Sequence, residues 1–369
     1  MTSPLTSLRI EQFKCFADLQ VPLRHLTLFT GFNGAGKSTA IQSLLLLAQG
    51  AKSGSWVASA PESFVPLNGD IVRLGSIGDV VRAGAPGGRV RFEVASDTET
   101  IELSLTGRSG ARVLSAEATD GSPNDQLLRS LDRLVHISAV RSGPADSFPM
   151  PDRPHTGVPD VGVDGRFASY WYHARADEPV AATRCLPGSE GDTFRRQLDA
   201  WLDFLAPGAN ANVQILPVAS ALALQFRLSG TGEWKRPANV GYGLTYAFPI
   251  LVQLLASAEG DVVVIDSPEA HLHPQAQSRM GRLLAAFAAA GVQILVETHS
   301  DHVLNGVRLA VADGVMPAAE LGILFFAGAS ETDHGVTIPV TDVTGRIDSW
   351  PEGFFDQIDN DVARLSGWR

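Results

Sequence analysis

The sequence predicts an α/β fold: a mainly parallel sheet flanked by helices around a phosphate-binding loop, with an antiparallel β layer and an inserted helical lobe. Three observations predict it. The run Gly31-Phe32-Asn33-Gly34-Ala35-Gly36-Lys37-Ser38 meets the spacing of a phosphate loop at every fixed position. Strand-like and helix-like stretches alternate around that loop and again from residue 239 onward. A second apolar run, Val262-Val263-Val264-Ile265, ends in Asp266, an acid of the kind that holds the metal's water shell beside such a loop.

In chain order, residues 7–31 read as two or three short strands. The last, 25–30 (HLTLFT), is buried and runs into the loop, with Phe13 and Phe16 expected beneath it. The loop glycines let backbone N–H groups close round a phosphate, and the helix at 39–49, opening at Thr39, adds its positive end. Gly31, Phe32, Asn33, Gly34, Ala35 and Gly36 form the cradle. Lys37 reaches the β and γ oxygens, and the Ser38 hydroxyl ligates Mg²⁺. These residues predict a bound nucleoside triphosphate.

From Gly69 to about Thr119 come short β-prone runs broken by glycines (IVRLG, VRFEVAS, TIELSLTG, ARVLSAEAT), which suggests an antiparallel sheet. Residues 125–134 read as a helix and 135–140 as a strand ending at Arg141, a residue open to either an ion pair or a nucleotide-facing role. The stretch 142–165 is dense in Pro, Gly and Asp and reads as a long irregular loop. Helices are expected at 167–176 and 193–205, and strands at 212–218 and 222–228. Trp171 and Tyr172 read as core. From 239 the alternation returns: helix 244–256, strand 261–266, helix 275–290, strand 292–296, helix 301–312, then strands 321–326 and 336–340. The long interval between loop and acidic strand implies an insertion. The expected division is a nucleotide core with its β layer at 1–119 and 236–369, and a lobe at 120–235. No heptad repeat and no internal repeat runs through the chain.

Composition narrows the function classes. The chain has 369 residues, 44% hydrophobic and 19% charged, enough for a full core. Two cysteines, Cys15 and Cys185, make no disulfide framework. The start lacks a signal peptide's basic and apolar regions, and no apolar run reaches the roughly 20 residues needed to span a bilayer. A cytoplasmic protein is expected. The net charge of −11 gives no global field for nucleic acid. A DNA contact would need a local patch such as Arg89/Arg91, Arg108/Arg112 or Arg195/Arg196.

Further motifs sharpen this reading. Ser267-Pro268-Glu269-Ala270-His271-Leu272-His273-Pro274 follows the acidic strand, Glu297-Thr298-His299-Ser300-Asp301 follows the next strand, and Gly241 and Gly243 open a helix. Together they resemble the ABC-type ATPase heads of the RecF/SMC and overcoming-lysogenization-defect class. The tail 345–356 (GRIDSWPEGFFD) looks like the end of a bacterial stand-alone subgroup of it. The resemblance covers nearly the whole chain and implies ATP with Mg²⁺. It implies that Gly241 and Gly243 form the signature segment meeting the γ-phosphate on a second protomer. It makes His299 the switch histidine, puts Ser38 and Asp266 on the metal, and makes residues 271–274 the loop linking two sites. A homodimer on ATP follows from that arrangement. Members of the class bind or repair DNA or act against phage.

In these ATPases the residue after the metal-holding acid is normally a Glu that positions the attacking water. Here it is Ser267, and Glu269 is the nearest carboxylate that can replace it. Either Glu269 takes the role, as adopted here, or hydrolysis is slow and ATP acts as a clamp. The nucleases of the resembling class carry a further metal-binding domain, and the about seventy residues after His299 are too few for it. The effector is therefore expected on a separate polypeptide. His271 and His273 without cysteines lack the spacing of a zinc site. Two other readings are an ATPase subunit of a membrane transporter, disfavoured because the signature is not LSGGQ-like, and a non-hydrolysing scaffold, which Ser267 keeps open.

Overall fold

A computed structural model describes residues 4–56, 63–85, 88–108, 110–119, 125–151, 158–329 and 334–366. The chain falls into two compact units. The first comprises 1–132, 297–301 and 317–369; the second comprises 133–296 and 302–316.

The first unit contains the antiparallel β layer expected from the glycine-broken runs. Its strand order is Phe16–Pro22, Ser7–Phe13, Arg89–Ala95, Thr100–Thr106, Val113–Thr119 and Phe64–Pro66. Alternation along Ser7–Phe13 explains the layer. Leu8 and Ile10 are fully buried, whereas Arg9 points outward and pairs with Asp18 at 2.7 Å. The edge strand is Phe64–Pro66; the run at 71–75 expected to be β-prone makes no strand. Phe13 packs edge-on against Phe92 of the β layer, 5.4 Å between centroids, and the Phe16 ring lies against Gly36 of the loop.

Leu26–Gly31, the strand that feeds the phosphate loop, is buried from Leu26 to Thr30 and pairs in parallel with Leu321–Ala329. His334–Thr337 joins the latter in antiparallel fashion. The helix after the loop is Lys37–Lys52, two residues earlier at its start than the sequence suggests. Its Leu44, Leu45, Leu46 and Leu47 are all buried, each stabilising by about 1.5–3 kcal/mol. A tail helix, Gln357–Leu365, was not legible in the sequence.

In the second unit Val262–Asp266 pairs in parallel with Val135–Ile137, Val263 opposite Val135. The expected strand at 135–140 stops at Ile137 because the chain leaves the ladder there. Ser138 N–H donates to the Val163 carbonyl and Ser142 N–H to that of Asp164. Both acceptors lie in the irregular loop, whose positions 152–157 are outside the described residues. Helices Ala168–Arg175 and Phe194–Leu205 accompany a three-stranded antiparallel sheet of Asn210–Leu216, Ala221–Arg227 and Phe148–Pro149. Trp171 and Tyr172 are core residues, Tyr172 lying 5.9 Å from the Phe248 ring.

Helices Pro274–Ala289 and Asp301–Ala312 touch backbone to backbone at two glycines. A Cβ on Gly306 would lie 2.0 Å from the Ser278 carbonyl oxygen, and one on Gly281 2.2 Å from that of Val303. Gly306→Ala must push the helices apart. A loss of about 1–3 kcal/mol is expected, read as a lower denaturant midpoint with an unchanged slope.

Candidate nucleotide site

The expected site residues divide between the two units: the phosphate loop and His299 in the first; Gly241, Gly243, Asp266 and Glu269 in the second.

The phosphate loop is built for an anion. Gly31, Gly34 and Gly36 have φ of 121°, 74° and 107°, a region that side chains rarely enter. At Gly31 a Cβ would lie 2.1 Å from the Phe326 carbonyl oxygen, so the neighbouring strand excludes any side chain. Gly36 caps the following helix without a side-chain hydrogen bond, and no acid lies in the first turn. That helix start presents backbone N–H groups and the positive dipole end to solvent beside exposed Asn33 and Gly34. Ala35 is buried and Thr39 half-buried.

Lys37 is buried, with its Nζ donating to the carbonyls of Gly31 at 2.9 Å and Phe32 at 2.8 Å. The ammonium is thus folded back on the loop. The Ser38 hydroxyl donates to Glu297 Oε1 at 2.8 Å. Sequence reasoning missed Glu297, because 259 residues separate it from Ser38. The signal was present in the Glu-Thr-His run, read only for its histidine. Glu297 ends the strand Gln293–Glu297, and the next residue is held at the loop strand by Thr298 N–H, which donates to the Phe29 carbonyl at 3.1 Å. His299 lines a cavity of about 260 Å³ with Gly31, Phe32, Gly353 and Phe355. The tail reaches the loop here: Gly353 lies against the Phe32 ring, and fully buried Phe354 packs on Phe325 at 5.3 Å.

In the second unit Asp266 ends its strand as expected, and Ser267 Oγ donates to Asp266 Oδ1 at 2.8 Å. The segment that follows is strained: Ser267 and His271, neither of them glycine, have φ of 49° and 62°. Ala270 N–H bonds the Ser267 carbonyl and Leu272 N–H that of Glu269. Gly241 caps helix Tyr242–Ala256 with φ of 84°. Gly243 faces the loop after the acidic strand, where a Cβ would meet the His271 carbonyl oxygen at 2.9 Å. Tyr242 and Tyr246 of that helix flank the His271 ring at 5.2 and 4.6 Å. The signature-like helix and the PEAHLHP loop therefore pack directly on each other. Arg141 is buried and donates through Nη2 to the carbonyls of Asp266 at 2.6 Å and Ser267 at 3.1 Å. It is tied to the acidic strand's backbone.

In the first unit Ser38 and Glu297 offer oxygen donors of the hard type that Mg²⁺ prefers. Among the described residues no cluster of three or more His, Cys, Asp or Glu is placed to hold a metal. Three of the six candidate arginines pair with acids: Arg89 with Glu117 at 2.9 Å, Arg91 with Glu11 at 3.7 Å and Arg195 with Asp177 at 3.5 Å. Among the described residues no helix is long and apolar enough to cross a membrane.

A family model described as "AAA domain, putative AbiEii toxin, Type IV TA system" matches residues 26–305. A second, "Protein of unknown function (DUF3696)", matches residues 317–365. No curated protein matches the chain. Among solved structures, the chain is similar to an Smc head bound to the C-terminal winged-helix domain of ScpA, with 14% identity and a TM-score of 0.53. That match covers 91% of this chain and 98% of the other. It is also similar to an Smc head with an extended coiled coil, bound to the C-terminal domain of ScpA and derived from Pyrococcus furiosus. Identity there is 13%, TM-score 0.52, and coverage 99% of this chain and 100% of that one. The fold is that of an ABC/SMC-type P-loop ATPase head.

Proposed function

Since the chain belongs to the AAA-domain family whose description names a putative AbiEii toxin and a type IV toxin–antitoxin system, we propose that it is an ATP-hydrolysing head that closes as a homodimer around ATP. It acts as a switch or clamp on DNA or on a separate effector protein, in DNA repair or defence against phage. The observation that carries this reading is the phosphate loop itself: an uncapped helix start, a buried Lys37 and a Ser38 hydroxyl already oriented by Glu297. The family's toxin–antitoxin description favours defence, and the ScpA domains seated on the two Smc heads favour a protein partner.

In this reading Gly31, Phe32, Asn33, Gly34, Ala35, Gly36 and Thr39 hold the phosphates, and Lys37 leaves the Gly31 and Phe32 carbonyls to meet the β and γ oxygens. Ser38 and Asp266 hold Mg²⁺, which when bound neutralises charge on the phosphate oxygens. Glu269 orients the attacking water, and His299 senses the γ-phosphate. Gly241 and Gly243 meet the nucleotide of the second protomer. The lobe at 120–235 is an insertion in this core. Ser267 in the usual water-positioning place also favours a second reading, a slow clamp in which bound ATP rather than its turnover is the signal.

Phosphate release by the purified protein with MgATP, with and without duplex DNA, tests the proposal. Turnover that rises with DNA supports a DNA-responsive clamp; no ATP binding at all contradicts the reading. Glu297 yields a separate prediction. By accepting the Ser38 proton it leaves the hydroxyl's lone pairs for the metal. Glu297→Ala is expected to raise the Mg²⁺ concentration needed for half-maximal ATP binding about 10–100-fold, measured by titration with a fluorescent ATP analogue.

A further inference from the structure

The three-stranded antiparallel sheet of the second unit has an open edge. Asn210–Leu216 lies on one side of it and the short strand Phe148–Pro149 on the other, with Ala221–Arg227 between them. The hydrogen bonds show which backbone groups face outward. Ala211 lies opposite Phe226, yet neither bonds the other: Ala211 N–H donates to Asp199 Oδ1 at 3.0 Å, and its carbonyl accepts the Tyr172 hydroxyl at 3.1 Å. Phe226 exchanges its two bonds with Lys235 on the far side. Outward-facing residues alternate along an antiparallel strand, so Val213 and Ile215 also turn N–H and C=O to the edge. Among the described residues nothing bonds these four groups.

Native sheets guard such edges with charge, proline or shortness, because a free row of donors and acceptors recruits another strand. Three other edges of this protein are guarded. Phe16–Pro22 carries Asp18 and a proline, while Phe64–Pro66 and Phe148–Pro149 are short and end on proline. Asn210–Leu216 has neither charge nor proline, and no residue from 204 to 226 is charged. Past Val213 the strand also leaves its cover. Gln214 through Ser220 are all exposed, and Ile215, Leu216 and Val218 add apolar surface. Backbone groups at strand spacing fit an extended chain. Val213 and Ile215 share one face of the strand and Asn212 and Gln214 the other, so an added strand matches them by alternating apolar and polar residues.

The closed end of the edge narrows the occupant further. Asp199 of helix Phe194–Leu205 stands there, half-buried, and makes no ion pair among the described residues. Arg195 pairs with Asp177 and Arg227 with the Asn210 amide oxygen, and burial pushes the Asp199 carboxyl pKa up against their longer-range attraction. A strand running past Ile215 and Val213 toward Ala211 brings its next side chain to this carboxylate, where a cation is favoured. A second copy of the same edge has no cation to bring, since its strand is uncharged.

We propose that the open edge of Asn210–Leu216 takes an extended strand of a partner protein, alternating β-branched and polar residues, with a lysine or arginine at the Asp199 end. The inference goes beyond the ATPase reading and stands without it.

The probe is a library of random decapeptides displayed on phage and selected on immobilised wild type. Enriched sequences are synthesised and titrated by fluorescence anisotropy. The deciding variant is Ile215→Pro. It deletes one outward N–H and puts a ring in the path of the added strand, while the ladder to Ala221–Arg227 runs through Gln214 and Leu216 and keeps its bonds. The expected result is enrichment of alternating peptides with a terminal cation that bind Ile215→Pro at least about fivefold more weakly. Asp199→Asn keeps an acceptor for Ala211 and is expected to weaken the same peptides about threefold, with no effect once their cation is replaced by glutamine. Peptides that bind Ile215→Pro as tightly as wild type overturn the proposal, as does a selection that enriches none. A wild-type dimer in sedimentation with ADP that Ile215→Pro abolishes assigns the edge to a second copy and overturns it too. Should Ile215→Pro not fold, N-methylation of the peptide amides that face the edge decides instead: binding to wild type is lost, and unchanged binding contradicts the proposal. No outcome requires ATP, so failure here leaves the ATPase reading standing.

Discussion

Lys37→Ala is expected to lower MgATP turnover by about 10²–10³-fold, the scale seen when a preorganised donor to a transferring group is removed. The buried ammonium is the loop's only side-chain cation, and its two acceptors, the Gly31 and Phe32 carbonyls, show that it is held a short reach from the cradle. Alanine also leaves those carbonyls without this donor and opens space under the loop. Lys37→Met, similar in length and uncharged, separates the two effects. It should keep the wild-type thermal midpoint within a few degrees and still lose turnover. Steady-state phosphate release and circular dichroism on the same preparations check both. Turnover retained in Lys37→Met would mean that hydrolysis occurs elsewhere or comes from a contaminant.

Glu269→Gln is expected to reduce turnover by about 10²-fold or more while ATP binds as before, because glutamine keeps the shape and loses the base. Ser267 donates its hydroxyl to Asp266 and has no basic atom to offer. The hydrogen bonds of Ala270 and Leu272 keep the segment around Glu269 folded through its backbone, so the substitution leaves the loop in place. A single-turnover measurement with excess enzyme separates the chemical step from product release. Equal rates in the two proteins would remove Glu269 from the chemistry and favour the slow-clamp reading.

The phosphate loop was legible because its rule is local. Three glycines, a lysine and a serine at fixed spacing within eight residues make the stretch readable as a phosphate loop, and the structure adds the positive φ of the glycines and why Gly31 admits no side chain: the Phe326 carbonyl lies where a Cβ would be. Strands and helices around it were legible to within a few residues for the same reason, since periodicity reports the buried face. What escaped depends on partners far along the chain. The Ser38–Glu297 bond, the grip of Arg141 on Asp266 and Ser267, and the meeting of Gly353 with Phe32 join residues more than a hundred positions apart. The tail helix Gln357–Leu365 follows a glycine-and-proline stretch whose packing on Phe325 could be read only in three dimensions.

The central claim is that ATP joins two copies of this chain. Sedimentation velocity on the wild-type protein, with Mg²⁺ and either a non-hydrolysable ATP analogue or ADP, tests it most directly. The account predicts a dimer with the ATP analogue and a monomer with ADP, the difference vanishing in Lys37→Met. The same mass in both nucleotides, under conditions where each is bound, would contradict it.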